Sequence, residues 1–258
     1  MNRLSNIYAK CAEENRAALT IFTTVGYPDM NSSEAAIESA IAEGADIIEL
    51  GVPFSDPMAD GPAVSLASRI ALENGAYLAP ILELAARIRQ RHPETGLILF
   101  SYLNIMLQYG YEKLAAKLAE LDIDAILAID MPLSERGELS DICKGHGLQL
   151  IPIITAKTPA EAVNSIADTA SMAVFSMNIR GISHAAELPE SAYADLSALR
   201  EKLNIPLAVG FGISDTITAG KMARHADSVI VGGAFVKALS TPGCAAALVR
   251  DLRNAMKR

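Results

Sequence analysis

The chain has 258 residues, with 22 basic side chains against 30 acidic ones and a formal net charge of -8. This acidic balance disfavours nucleic-acid backbones and anionic membrane surfaces as broad partners. No apolar run approaches the roughly 18 residues that a membrane span needs, and the charged start of the sequence does not fit a signal peptide. We therefore expect a soluble, cytoplasmic protein without nucleic-acid or membrane partners, in which a small anion would need a local site.

The cysteines and histidines do not form a recognisable set of metal ligands. Cys11, Cys143 and Cys244 are far apart and lack CxxC spacing, and the four histidines are equally scattered. An odd number of widely spaced cysteines argues against both a disulfide framework and a zinc site. We predict buried free thiols and no bound metal.

Eight short aliphatic runs alternate with longer stretches of helical spacing, at intervals of about 25 to 30 residues. The runs are almost wholly apolar, as expected of parallel strands covered on both faces. They begin at Ala18, Ala45, Leu97, Ala125, Leu148, Met172, Pro206 and Asp227. Eight βα units predict an α/β fold with a single (β/α)8 TIM barrel as one domain over residues 1–258. Two small domains, or a doubly wound open sheet, are the alternatives.

A carboxyl group interrupts the second apolar run. Glu49 lies near the end of DIIELG, and in such barrels the reactive groups lie at the carboxyl ends of strands and in the loops that follow. Burying a carboxylate there is costly unless it is paired, protonated or used in catalysis. The position therefore predicts either a catalytic residue or a glutamate satisfied by backbone donors or a cation.

The loop after this strand, GVPFSDPMADGP, contains three prolines and is therefore shaped rather than flexible. Asp60 precedes Gly61 and Pro62, a pattern typical of a helix cap, with catalysis as the alternative. Asp56 before Pro57 is typical of a turn.

Two glycine clusters follow the last two predicted strands. Gly210 and Gly212 lie in AVGFGIS, and Gly232 and Gly233 lie in IVGGAF. Barrels commonly bind phosphate with these two loops, because glycine lets backbone N–H groups approach an anion. The paired clusters predict a pocket for a small phosphate ester, although turns at strand ends also use glycine.

The segment ELGVPFSDPMADGP, from Glu49 to Pro62, resembles the signature of the tryptophan synthase α-subunit family, which carries a glutamate and an aspartate at this separation. The resemblance covers nearly the whole chain. It continues through FTTVGYPD from residue 22, FSYLN from 100, IDMP from 129, GFGIS from 210 and GGAFVK from 232.

The resemblance implies a carbon–carbon lyase of tryptophan biosynthesis that cleaves indole-3-glycerol phosphate to indole and glyceraldehyde 3-phosphate. It implies that Glu49 moves the protons and that Asp60 accepts the indole N–H. The substrate-binding residues that it implies are Phe22, Val64, Phe100, Tyr102, Leu127, Phe175, Ser183 and Phe211. For the apolar members of this set, core packing is the alternative. The phosphate-binding residues that it implies are His184, Gly212, Gly232 and Gly233.

The resemblance also implies a partner, the tryptophan synthase β subunit, in an α2β2 complex. In that family the β subunit carries pyridoxal phosphate, so no cofactor is expected in this chain. The loop with Asp56 and Pro57, and the loop near residues 178 to 190, would lie toward the partner.

The sequence departs from the family pattern after the sixth strand, in FSMNIRGISHA. Phe175 lacks the hydroxyl of the usual tyrosine, Ser183 replaces threonine and His184 replaces glycine. Elsewhere Gly233 stands where many members have serine, and Ile105 stands in place of a proline. These changes leave three alternatives open: a regulatory α-like subunit, a stand-alone indole-releasing lyase, and another phosphate-binding barrel such as an isomerase or a different aldolase.

Overall fold

The structure, a computed structural model, describes residues 2–155, 158–167, 172–176, 190–210 and 212–257. The strands are β1 (Ala18–Thr24), β2 (Ile47–Gly51), β3 (Gly96–Ser101), β4 (Ala125–Ala128), β5 (Gln149–Leu150), β6 (Ile153–Ile154), β7 (Ala173–Ser176), β8 (Leu207–Gly210) and β9 (Ser228–Val231). The helices are α1 (Arg3–Glu13), α2 (Met30–Ala42), α3 (Pro62–Glu73), α4 (Leu78–Arg91), α5 (Leu103–Tyr109), α6 (Tyr111–Glu120), α7 (Gly137–Gly145), α8 (Ala160–Ala167), α9 (Glu190–Lys202), α10 (Thr216–Ala223), α11 (Gly233–Ala238) and α12 (Cys244–Ala255).

These strands form one parallel sheet in the order β5-β4-β3-β2-β1-β9-β8-β7-β6. The fifth predicted strand is split by Ile151 and Pro152 into β5, which pairs with β4, and β6, which pairs with β7. Proline has no N–H to donate to a ladder, so a break at this position is expected. Because the two ends of the strand order are halves of one run, the sheet closes on itself. The barrel prediction is confirmed, and the open-sheet alternative is wrong.

The apolar core has two layers, one inside the barrel and one between the barrel and its helices. Ile47 and Ile98 belong to the inner layer, which α1 covers from below with Leu4 and Tyr8. Ile48, the chain neighbour of Ile47, belongs to the outer layer. Successive strand residues point to opposite faces, and both faces are buried. This is why the strands are predominantly apolar.

Three aspartates tie the strands together at the amino end of the barrel, each standing directly before a strand. Each accepts a backbone N–H from a neighbouring strand: Leu19 to Asp46 at 2.8 Å, Leu97 to Asp124 at 2.8 Å and Leu207 to Asp227 at 3.0 Å. Each also pairs with an arginine: Asp46 with Arg16 at 2.7 Å, Asp124 with Arg89 at 2.8 Å and Asp227 with Arg200 at 2.6 Å. The amino end of the barrel is thus held by polar contacts, and the carboxyl end remains for chemistry.

The cysteines only partly follow the prediction of buried thiols. Cys11 and Cys143 are buried, and burial raises the pKa of each thiol to about 12, so both remain protonated. Cys244 is exposed, and for this residue the prediction is wrong. It lies in the first turn of α12, before the first buried position of that helix at Val249.

Within the described ranges, no helix is long and apolar enough to cross a membrane. The same residues contain no group of three or more His, Cys, Asp and Glu side chains that could hold a metal ion.

Candidate active site

The predicted site residues meet at the carboxyl end of the barrel. Parallel strands end at the same edge of a sheet, so residues distant in sequence become neighbours there. Phe22 of β1 stands in register with Glu49 of β2, and Phe100 of β3 stands in register with Leu127 of β4. The loops after β2 and β3 bring Asp60 and Tyr102 to the same region.

The carboxyl group of Glu49 is buried, and no described residue offsets the cost of burying it. It is only 2% exposed, and its Oε1 atom has no hydrogen-bond partner among the described residues. Burial raises its pKa to about 8. The alternative interpretation, a glutamate satisfied by backbone donors or a cation, is therefore not supported. At neutral pH the side chain holds a proton that it can give to a substrate.

Asp60 is held by a tyrosine and does not cap the helix that follows it. The N-cap of α3 is Gly61, which has no side-chain cap, so the helix-cap interpretation is wrong. Asp60 lies one residue too early, and its Oδ2 instead accepts a 2.9 Å hydrogen bond from the hydroxyl of Tyr102. Burial raises the pKa of Asp60, and the bond from Tyr102 acts in the opposite direction.

Tyr102 connects the loop after β2 to the end of β3. It is buried, and its ring stacks on Phe54 with 4.7 Å between the ring centroids. Its hydroxyl oxygen also accepts the N–H of Ala59 at 3.1 Å. Sequence reasoning identified Tyr102 as a pocket residue but missed Phe54 and Ala59, whose contacts depend on how the loop folds.

The predicted apolar side chains form one wall. Phe22 and Phe100 meet edge to face with centroids 4.8 Å apart. They pack in the inner core layer with Val64 of α3 and Leu127. Core packing, the alternative for these residues, is thus present, since each of the four is at most 8% exposed. Their role in binding stays a prediction.

Two glycines make room for the ring of Phe22. A Cβ atom at Gly51 would lie 2.6 Å from a ring carbon of Phe22, and one at Gly232 would lie 3.0 Å away. The sequence analysis predicted that Gly232 binds phosphate. It did not predict that Gly232 and Gly51 make room for a side chain. A glycine inside a strand, as at Gly51, was the available signal, since it often marks a close approach.

The two glycine loops predicted to bind phosphate follow the neighbouring strands β8 and β9. Gly212 has a φ of 84°, in the left-handed region that favours glycine. Gly232 is the N-cap of α11 and Gly233 its first residue, with no side-chain cap among the described residues. The first turn of α10, in contrast, is capped by Asp215, which accepts the N–H of Thr218 at 2.8 Å. The first turn of α11 therefore differs from that of α10 in having no side-chain cap among the described residues.

The exposed part of the loop after β2 forms the predicted turn. The carbonyl of Asp56 accepts the N–H of Met58 at 2.8 Å, and its carboxylate accepts the hydroxyl proton of Ser55 at 2.6 Å. Met58 is 87% exposed beside Pro57. An exposed apolar side chain on a shaped loop is compatible with a partner surface.

Several predicted residues lie outside the described part of the chain. These are Ser183, His184 and Phe211, together with residues 178–189 of the second predicted partner loop. The backbone of Phe175 is described in β7, where it stands in register with Ile154 and Val209. The roles of all these residues stay predictions.

Comparison with known proteins gives a consistent result. The family model of the tryptophan synthase alpha chain matches residues 8–256. The tryptophan synthase alpha chain of Geotalea uraniireducens is 38% identical over 238 residues, which cover 92% of this chain and 89% of that protein. That of Laribacter hongkongensis is 36% identical over 262 residues and 99% of each chain.

Solved structures agree with these sequence relatives. Tryptophan synthase subunit alpha from Legionella pneumophila has a TM-score of 0.90 at 31% identity, covering 99% of this chain and 98% of that one. A chain of Mycobacterium tuberculosis tryptophan synthase has a TM-score of 0.91 at 28% identity, covering 100% and 99%.

Proposed function

Because this chain belongs to the tryptophan synthase alpha chain family, we propose that it cleaves indole-3-glycerol phosphate to indole and glyceraldehyde 3-phosphate. The observation that carries this proposal is the pair of unlike carboxyl groups at the barrel mouth. Glu49 is buried and protonated at neutral pH, and Asp60 is an acceptor held by Tyr102. Two carboxyl groups in different environments can divide acid and base work between them.

The chemistry begins at the indole ring. Glu49 gives its proton to indole C3, which makes an electron-poor indolenine whose nitrogen carries the positive charge. Asp60 accepts the indole N–H and stabilises that charge. The bond between C3 and the glyceryl carbon then breaks, and its electron pair restores the aromatic ring.

The second product is released as an aldehyde. As the bond breaks, the hydroxyl on the glyceryl carbon loses its proton and becomes the carbonyl of glyceraldehyde 3-phosphate. The carboxylate of Glu49 takes up this proton and returns to its starting state. Because one group donates and then accepts, a carboxyl pKa near neutrality suits the cycle.

The carboxyl end of the barrel has apolar side chains for the indole end of the substrate and glycine loops for its phosphate end. We assign the indole to the carboxyl end of the barrel beside Phe22, Phe100 and Leu127, whose apolar side chains pack together. We assign the phosphate to the backbone N–H groups of Gly212, Gly232 and Gly233, where a helix begins without a side-chain cap. The remaining assignments follow from the sequence resemblance: Val64, Tyr102, Phe175, Ser183 and Phe211 at the substrate, and His184 at the phosphate.

We further assign a tryptophan synthase β subunit as the partner, in an α2β2 complex, with Asp56 and Pro57 at the interface. Pyridoxal phosphate belongs to that subunit, where it supplies the chemistry that converts indole and serine to tryptophan, and this chain needs no cofactor of its own. The cytoplasmic location and the single domain over residues 1–258 stay predictions, the latter supported by the closed sheet.

The test is indole release from indole-3-glycerol phosphate by the purified chain, with and without a tryptophan synthase β subunit. We expect release to rise with the partner, and to fall about 10²- to 10⁴-fold in Glu49→Gln and in Asp60→Asn. Glu83→Gln, an exposed carboxyl on α4, is the matched control and should retain activity.

Each other outcome has a definite meaning. Substrate binding without cleavage in a folded protein would identify a regulatory α-like subunit. Full release that does not change with the β subunit would identify a stand-alone lyase. Neither binding nor cleavage would favour another phosphate-binding barrel.

A further inference from the structure

A backbone N–H determines the direction in which the hydroxyl group of Tyr102 donates its proton. The hydroxyl oxygen lies 3.1 Å from the nitrogen of Ala59 and 2.9 Å from Oδ2 of Asp60. A backbone N–H can only donate, so the hydroxyl oxygen must accept from Ala59. A phenol has a single proton to give, and that proton is therefore directed at Asp60.

This arrangement occupies one of the two carboxyl oxygens of Asp60. Among the described residues, the hydrogen bonds of the Asp60 carboxyl group reach Oδ2 only. Oδ1 is left to accept a proton donor on a ligand. An acceptor carboxylate must be ionised, whereas burial favours its neutral form. The bond from Tyr102 opposes burial by lowering the pKa of Asp60.

Packing and hydrogen bonds also hold Tyr102 in place. Its side chain is 2% exposed and is stacked on Phe54. Its carbonyl oxygen accepts the N–H of Ile105 at 3.1 Å and the hydroxyl of Ser101 at 3.3 Å. It directly follows β3, so one side chain ties the loop that carries Asp60 to the barrel wall. A group held in this way keeps its orientation without a bound ligand.

We propose that Tyr102 is the positioning residue of the reaction: its hydroxyl group holds Oδ2 of Asp60 and leaves Oδ1 for the indole N–H. This inference rests on the proposed function and deepens it: Tyr102, assigned above to the substrate pocket, also orients the carboxyl group that accepts the indole N–H. Tyr102 acts through Asp60 and transfers no proton to the substrate.

The test is Tyr102→Phe, which keeps the stacked ring and removes only the hydroxyl. We expect kcat for indole release at neutral pH to fall about 10- to 100-fold, the usual size of a lost hydrogen bond to a charged group. KM should change less, because the bond prepares a charge that matters most as the indolenine forms. The acid limb of the kcat–pH profile should move to higher pH, because Asp60 then ionises later.

Tyr193→Phe is the matched control. It removes the hydroxyl of another buried tyrosine, on α9, whose ring packs against His225 in the helix layer. It should shift neither kcat nor the acid limb. If Tyr102→Phe leaves both unchanged as well, the inference is overturned.

A direct titration makes the result independent of catalysis. The carboxyl ¹³C resonance of Asp60, assigned through Asp60→Asn, should titrate at a higher pH in Tyr102→Phe than in the wild type. If Tyr102→Phe does not fold, 3,5-difluorotyrosine at position 102, a stronger proton donor, should lower the Asp60 pKa instead. An unchanged titration overturns the inference. Absence of indole release from the wild type would reject the proposed function, while the titration would still decide the role of Tyr102.

Discussion

Replacing Glu49 with glutamine should change how the stability of the protein depends on pH. In the unfolded chain this carboxyl group ionises near 4.5, its ordinary pKa, whereas burial keeps it protonated to about pH 8 in the fold. Between these values folding requires the uptake of one proton, so the free energy of unfolding falls as pH rises. Because glutamine does not titrate, this fall in the free energy of unfolding is absent from Glu49→Gln.

The expected magnitude is large for a single side chain. Each pH unit between the two pKa values costs the wild type about 1.4 kcal/mol relative to Glu49→Gln. From 4.5 to pH 7 the accumulated loss is about 3 kcal/mol, and it levels off above pH 8, where the folded carboxyl group also ionises. Below 4.5 both states hold the proton, and the difference no longer changes.

The assay is urea unfolding of both proteins at intervals from pH 4 to pH 9.5, followed by far-ultraviolet circular dichroism. Subtracting one free energy from the other cancels the titration of every other group. The exposed control Glu83→Gln measures how much of any difference comes from removing a carboxyl group at the surface. A difference between wild type and Glu49→Gln that does not change with pH would refute the argument that burial holds the Glu49 proton.

Three further predictions concern catalysis, packing and the amino end of the barrel. Indole release should decline as pH rises through about 8, because Glu49 then loses the proton that it donates; a kcat–pH profile still rising at pH 9.5 would contradict this role. Gly51→Ala should lower the free energy of unfolding by about 1 to 3 kcal/mol, because its Cβ would lie 2.6 Å from the Phe22 ring. Gly233→Ala should not lower the free energy of unfolding through a steric clash, because nothing lies within 4 Å of its Cβ. Equal urea midpoints for the two variants would disprove the steric argument. Asp124→Ala should cost about 3 to 5 kcal/mol in the same assay, since it removes the nearer of the two carboxylates that pair with the buried Arg89. A loss below about 1 kcal/mol would show that this pair is not needed.

The sequence predicted the barrel because its main signal is local. A strand buried on both faces must be apolar along its length, and eight such runs separated by helical stretches leave few other architectures. Glu49 was found by the same logic, as a polar residue inside an apolar run. The split of the fifth strand also had a local signal in Pro152, which the apolar pattern around it concealed.

Other errors came from patterns that fit two structures equally well. A motif of aspartate, glycine and proline before a helix is typical of a cap, but the cap position fell on Gly61 and left the side chain of Asp60 for Tyr102. Cys244 was predicted to be buried on residue type alone, and its position on α12 left it exposed. For Asp60, one residue of position along the chain decided the outcome.

The sequence by itself determined the barrel, the place of Glu49 at a strand end, the glycine loops and the family signature, because each of these is written in residues that are neighbours along the chain. Only the tertiary structure decided that Oε1 of Glu49 has no hydrogen-bond partner among the described residues and that Tyr102 holds Asp60. It also decided that Gly51 and Gly232 leave room for the ring of Phe22. These properties depend on distances between residues that closure of the barrel brings together. Such distances set a pKa or a steric limit, and they cannot be read from the order of residues along the chain.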